Sequence, residues 1–189
     1  MRHHTDLVFP HGNETHLIAM AERLGFSHLI LCYPLSDPLL KNRAKEVAML
    51  ATAKITTEFA ILVPNQESIA KAQRYTKSVV AKGQQEYYDD KRVQYVLDFE
   101  NGGRPDFLHH RHSGLNQVFI HAGIRTSKCF LVNMHNLLFG AQHRAVILGR
   151  IQQNNDFFKK YAPNVLTISG ATEPLEMRAP RDLQNILFL

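Results

Sequence analysis

The sequence predicts an α/β fold, a small or incomplete β/α barrel of about seven mainly parallel strands. Two features point there. Short apolar runs, nearly continuous rather than alternating, have the composition of strands buried on both faces, and between them lie segments whose apolar residues recur at helical spacing. A doubly wound open sheet shows the same alternation, and periodicity does not separate the two. With 189 residues, 44% hydrophobic content and no linker, repeat or low-complexity segment, residues 1–189 read as a single domain around one core.

Leu7-Val8-Phe9 is the first strand. A helix follows from Asn13 with Leu17, Met20, Ala21 and Leu24 on one face, Asn13 as its N-cap and Gly25 as its stop. His28 to Tyr33 reads as a strand, residues 41–53 as a helix, and Phe59 to Val63 as a third strand ended by Pro64. The pattern then weakens: a short helix over 68–75, a strand over 77–80, and a helix over 90–99 with Val93, Val96 and Leu97 inward, broken by Asn101-Gly102-Gly103-Arg104-Pro105. Beyond it come a short strand over 106–109, a loop through Arg111, a helix from Ser113 to about Gly123, and a strand from Cys129 to Val132. A long helix covers 141–161, Val165 to Ile168 is the last strand, and a final helix opens at Pro180, whose fixed φ suits a first helical turn. The chain stops on Asn185-Ile186-Leu187-Phe188-Leu189, an apolar helix end without a C-cap, so a further turn or strand is expected.

Composition narrows the function. No apolar run approaches the roughly 20 residues of a membrane span, and Met1-Arg2-His3-His4-Thr5-Asp6 lacks the apolar stretch of a secretory signal, so a soluble intracellular protein is expected. Cys32 and Cys129 each sit in an apolar run and read as small buried hydrophobes, not as a disulfide. The 22 Lys and Arg against 17 Asp and Glu give a formal +5, a balance that attracts polyanions without being specific to nucleic acid.

In a β/α barrel the working rim lies at the carboxyl ends of the strands. Here it would carry His11, Tyr33, Asn65, Lys82, His110, Arg111, His112, His135 and Ser169, a set of cations and imidazoles without a carboxylate. Hydrolytic metal sites usually combine His with Asp or Glu, so this rim argues against a metal. His3 and His4 are adjacent at the amino end of a strand, point to opposite faces, and read as exposed. The run His109-His110-Arg111-His112 is the densest cation cluster, either a solvated loop or a phosphate-binding corner. Ser113 and Ser169 lack the context of an activated nucleophile, and the 101–104 glycine run lacks the Lys-Ser/Thr pair of a phosphate loop. Tyr87 and Tyr88 could stack on bases, but such aromatics more often cover a helix-to-strand junction.

Three stretches together resemble ribonuclease P protein component 3. They are Asp6-Leu7-Val8-Phe9-Pro10-His11-Gly12-Asn13-Glu14 with Leu24-Gly25-Phe26, then Arg111-His112-Ser113-Gly114-Leu115-Asn116-Gln117-Val118, and Ser169-Gly170-Ala171 followed by Met177-Arg178-Ala179-Pro180-Arg181-Asp182-Leu183. Their order and spacing agree with the family along nearly the whole chain, while residues 65–105 resemble nothing clearly. The resemblance implies a TIM-barrel-like, PHP-like fold related to metal-dependent phosphoesterases but without their ligand set. It implies a subunit with no catalytic site of its own, supporting the ribonuclease P RNA and, through the complex, acting on precursor tRNA beside a Pop5-type subunit. Mg²⁺ would belong to the RNA and no cofactor to the protein. Location would be cytoplasmic, or nuclear in a eukaryote, although the opening stretch looks more archaeal. Carried over by position, Arg111 and Arg178 are the leading RNA contacts, Arg181 a weaker one, with His112 beside Arg111. Arg125 and Lys128 answer to a basic residue the family places before its sixth strand, and Asp182 suits a helix start. The rival reading is a metal-dependent PHP-type phosphoesterase using rim histidines.

Overall fold

The computed structural model describes residues 4–101, 105–106, 111–139 and 143–185. Its organisation follows from strands that are apolar on both faces. Leu7, Ile30, Cys32, Ala60, Val80, Leu97, Leu131 and Ile168 form one buried cluster, while their neighbours Val8, Leu31, Ile61, Val79, Val96 and Phe130 belong to a second that includes the helices. Successive side chains of a strand point to opposite faces, so the first cluster fills the inside of a curved sheet and the second lies between sheet and helices.

The elements in order are β1 (Thr5–Val8), α1 (Glu14–Leu24), β2 (His28–Pro34), α2 (Leu40–Met49), β3 (Thr56–Val63), α3 (Ile69–Ala72), β4 (Val79–Lys82), α4 (Gln85–Tyr88), β5 (Tyr95–Leu97), α5 (Gln117–Arg125), β6 (Cys129–Asn133), α6 (Met134–Phe139), α7 (Arg144–Tyr161), β7 (Asn164–Ile168) and α8 (Pro180–Asn185). The seven strands pair in sequence order, every neighbour parallel, giving a nearly closed TIM-barrel-like α/β barrel. Among the described residues no helix is long and apolar enough to cross a membrane.

What draws the first and last strands together is a buried carboxylate. Asp6 is fully buried and accepts bonds from the Ser169 amide at 2.7 Å and the Ser169 hydroxyl at 2.6 Å, with the Leu7 amide at 2.8 Å. Two backbone bonds flank it, Phe9 N to Ala171 O at 2.8 Å and Gly170 N to Leu7 O at 3.2 Å. Asn13 extends the seam, its amide donating to Thr172 O and Glu173 Oε2. It stands at the N-cap position as expected but spends its side chain across the seam rather than on the helix. Gly25 ends α1 in the left-handed region at φ 87°, and Pro180 opens α8.

The middle of the chain corrects the sequence reading. Residues 90–99 contain strand β5, not a helix, with Leu97 inside the barrel and Val96 outside. A three-residue strand buried on both faces has the same apolar spacing as one helical turn, so Val93, Val96 and Leu97 fit either pattern. The helix expected from Ser113 starts at Gln117, because Asn116 caps it through a bond from Phe119 N to its Oδ1. Helix α6 was not foreseen, and β4 lies two residues later than expected. Asp106 is not in a strand; residues 107–109, 102–104, His3, 141 and 186–189 lie outside the described residues. Cys32 and Cys129 are buried and unbridged.

Burial pushes the Asp6 carboxyl up from 3.8 to about 6. The folded state therefore holds a proton that the unfolded chain releases between those values, and stability falls as pH rises through this window, by about 3 kcal/mol. Asp6→Asn keeps an acceptor for both amides and has no charge to bury. Urea unfolding at pH 4 to 7 is expected to show the variant gaining on wild type as pH rises, and a pH-independent difference would exclude this role.

Candidate nucleic-acid interface

Reading β5 as a helix hid two carboxylates of the rim, Asp98 and Glu100, and the rim expected from the sequence also left out Glu14, Glu173 and Glu176. Asp98 follows β5 directly, in the left-handed region at φ 56°, and its Oδ1 accepts from Asn133 Nδ2 at 2.9 Å and Asn136 Nδ2 at 2.7 Å. Lys82 Nζ stands 3.9 Å from Asp98 Oδ2. Glu100 is fully buried nearby, and burial, reinforced by the charge of Asp98, pushes its carboxyl up to about 8. Glu14, Glu173 and Glu176 join the same end: Glu176 accepts from the Thr172 amide and hydroxyl and lies 3.6 Å from His135 Nδ1. Tyr33 donates to Glu14, and Arg43 covers the Tyr33 ring. Gly170 is required where it stands, at φ 60° with a Cβ position 2.1 Å from Asn133 Oδ1.

Among the described residues no group of three or more His, Cys, Asp or Glu is placed to hold a metal ion. Asp98 is occupied by amides, and Phe9, Leu62 and Ile168 belong to the inner cluster towards the same end of the barrel. An apolar wall of this kind offers a divalent ion no donors.

The loop expected to contact phosphate is fastened to α7 by a polar hub. Asp106 Oδ1 accepts from Arg150 Nε at 2.8 Å and from the His112 amide at 2.9 Å, and its Oδ2 lies 3.4 Å from Arg111 Nη1. Arg150 is buried and also donates to Glu100 O. Burial alone would raise the Asp106 carboxyl, but the His112 amide and the Arg150 guanidinium hold it below the usual carboxylate range. Gln153 accepts from the Arg111 amide and donates to Arg111 O and Ser113 Oγ, and Asn154 donates to Ser113 O. Beneath this loop Gly149 gives the Arg111 guanidinium its seat, since a Cβ there would come within 2.4 Å of Cζ. Arg111 is thus held against α7 with 48% of its side chain exposed.

The sequence-selected cations divide between the two ends of the barrel. Arg111, His112 and Arg178 lie at the carboxyl end, where Arg178 Nη1 donates to the carbonyls of Leu175, Glu176 and Met177. Arg181 is exposed in the first turn of α8, with Asp182 beside it. Arg125 and Lys128 precede β6 and so stand at the opposite end, Arg125 exposed and 3.2 Å from Asp89. Lys128 is withdrawn from the set of phosphate contacts: it is 1% exposed and donates to Asp90 O and Val93 O, and burial pushes its ammonium down to about 8. Its burial lets a single side chain satisfy two carbonyls of the turn before β5. The His109-His110 pair lies outside the described residues. Tyr88 covers a junction, stacked on Phe119 at 4.8 Å and donating to Gly114 O.

Asp106, Arg150, Gln153 and Asn154 were not singled out from the sequence. A signal was present: Arg150 and Asn154 alternate with Ile147 and Ile151 on the face of α7 that is buried.

No protein-family model and no curated protein matches the sequence. Solved structures do. A chain of a cryo-EM structure of archaeal ribonuclease P with mature tRNA superposes with a TM-score of 0.73 at 16% identity, covering 96% of this chain and 80% of its own. The fold is shared with that chain of the ribonuclease P structure. A histidinol phosphate phosphatase from Lactococcus lactis, crystallised with zinc, L-histidinol and phosphate, superposes with a TM-score of 0.61 at 10% identity, covering 97% of this chain and 93% of its own. At these identities the likeness is one of fold. It agrees with the TIM-barrel-like α/β fold expected from the sequence.

Removing the hub carboxylate takes away the acceptor of the buried Arg150 Nε. Asp106→Ala is expected to cost about 2–3 kcal/mol in chemical denaturation and to raise proteolytic cleavage in the 105–116 loop; unchanged stability and cleavage would show that the loop is held otherwise.

Proposed function

We propose that this chain is a protein subunit of the ribonuclease P ribonucleoprotein that binds and stabilises the catalytic RNA for removal of 5′ leaders from precursor tRNA. One observation carries the reading: a cation of the barrel rim, Arg111, is pinned on a rigid helix with half its side chain exposed, within a fold shared with a chain of archaeal ribonuclease P. Arg offers a planar fork of donors matched to phosphate, and a side chain whose position is already fixed loses less entropy on binding. Arg178 is held by carbonyls, which carry no net charge to offset its cation. Arg181 supplements these two, His112 follows Arg111 in the chain, and Arg125 would meet RNA from the opposite end of the barrel.

Under this reading the protein makes no bond-breaking step. Phosphates that repel when RNA helices pack are neutralised by the rim cations, so less Mg²⁺ is needed to fold the RNA, and the Mg²⁺ that acts belongs to the RNA. The remaining partner is a second ribonuclease P protein of the Pop5 type, and the setting is cytoplasmic, or nuclear in a eukaryotic cell. The metal-dependent phosphoesterase reading shares the barrel with the histidinol phosphate phosphatase but finds no suitable donor set among the described residues.

Reconstitution of precursor-tRNA cleavage with the cognate RNA and partner subunits tests this. Wild type is expected to lower the Mg²⁺ requirement, and Arg111→Ala and Arg178→Ala each to weaken RNA binding by roughly tenfold while remaining folded. Gly149→Ala, which unseats the Arg111 guanidinium, is expected to share the Arg111→Ala defect. A wild-type protein that leaves the Mg²⁺ dependence unchanged would refute the proposal.

A further inference from the structure

Helix α6 leaves the carboxyl end of β6 and stands on the rim beside the turn over 172–178, with His135 Nδ1 3.6 Å from Glu176 Oε2. Its start is fixed by the His135 amide, which donates to Asn133 Oδ1 at 3.0 Å. At its other end Phe139 is 50% exposed, and among the described residues it is the only phenylalanine or tyrosine in so open a position. The imidazole of His135 backs its ring, 4.7 Å between centroids with the planes 36° apart. Two cations adjoin this pair. Arg144, exposed at the start of α7, donates to Leu137 O at 3.0 Å and to Leu138 O at 2.8 Å, the carbonyls just before Phe139. Arg178 is joined through Glu176, whose carbonyl accepts from Nη1 and whose carboxylate lies beside His135. Both guanidiniums rest on carbonyls, which carry no net charge. The acid in this chain of contacts, Glu176, already accepts from the Thr172 amide and hydroxyl and from the Glu173 amide.

We propose that the Phe139 ring, backed by His135, is a stacking platform for an unpaired base of RNA whose flanking phosphates are taken by Arg144 and Arg178. An exposed aromatic face beside fixed guanidiniums is what single-stranded nucleic acid needs, since every base offers a π-face and every nucleotide a phosphate. A base-paired helix does not use the platform, because its bases already stack on one another and present only their edges. A protein partner suits the patch less, as it would have to bring a carboxylate to each guanidinium, which RNA does with its own backbone. The inference rests on the ribonuclease P reading and deepens it: the rim takes hold of a loop or bulge of the RNA, not of a duplex alone.

Fluorescence anisotropy of the full chain with two labelled probes, a short single-stranded RNA and a duplex of the same length, tests it. Phe139→Ala and Phe139→Leu are each expected to weaken single-strand binding by about tenfold and to leave duplex binding unchanged, whereas Phe139→Trp binds as well as wild type or better. Leucine keeps the apolar area and lacks the π-face, so its loss separates stacking from simple burial. The urea midpoint, measured for each variant, is expected to be unchanged because the ring is half exposed. Salt dependence separates the roles: the slope of log affinity against log salt keeps its wild-type value in Phe139→Ala and shrinks by about 0.7 in Arg144→Ala, one phosphate contact of a single strand. If Phe139→Ala and Phe139→Leu bind the single strand like wild type, the platform is overturned and the ribonuclease P reading stands. The same holds if they keep RNA affinity and instead lose a protein subunit of the reconstituted complex. A wild type that binds neither probe yet lowers the Mg²⁺ requirement of precursor-tRNA cleavage also overturns the platform alone, and one that does neither removes the reading beneath it.

Discussion

Seven parallel strands can close only if the first and last hold each other, and here that seam is built on Asp6. Its carboxylate collects two bonds from Ser169 across the gap and one from Leu7, and the flanking backbone bonds of Phe9 and Gly170 follow the same line. The cost is a carboxyl buried in an apolar barrel, visible in its raised pKa. The return is geometric. Ser169, Gly170 and Ala171 are set at the top of the barrel, and through them the turn over 172–178 is carried to the rim.

That turn is fastened independently of the barrel core. Asn13 donates to Thr172 and Glu173, Glu176 accepts from the Thr172 amide and hydroxyl, and Arg178 binds three consecutive carbonyls. Arg178 is thereby positioned by groups without net charge. Arg111 is positioned differently, by a glycine seat and a shared carboxylate, so part of its charge is offset by Asp106. Arg43, by contrast, is surrounded by Glu14, Asp37 and Glu46 and has little field left for an outside anion. The formal +5 of the chain is therefore a poor guide to where a polyanion would settle, and the ion pairs of each arginine are a better one.

Strand β2, with five apolar residues before Pro34, and strand β6 were legible because their runs are longer than a helical turn without being long enough for a helix. Strand β5 was not, since Tyr95, Val96 and Leu97 are too few to show a period, and with it went Asp98 and Glu100. Losing one strand thus removed two of the rim's carboxylates from view. Arg111, His112 and Arg178 were found through motif words, but their supports were not: Asp106 lies five residues from Arg111, while Gly149, Arg150 and Gln153 come from a helix about forty residues away, and only the fold brings them together. Lys128 shows the opposite error, a basic residue in the expected place whose ammonium is consumed by Asp90 and Val93 carbonyls.

One barrel fold serves chains with different tasks, so what a barrel of this kind can do depends on the side chains of its rim. A hydrolytic centre needs several donors converging on one point with an open position for water. Here the corresponding end of the barrel spends its polar groups on one another: Asp98 on Asn133 and Asn136, Asp6 on Ser169, Glu176 on Thr172. Each of these bonds stiffens the rim and removes a donor from any ion. A rim stiffened in this way keeps Arg111 and Arg178 in fixed positions, as the proposed display of cations to a polyanion requires.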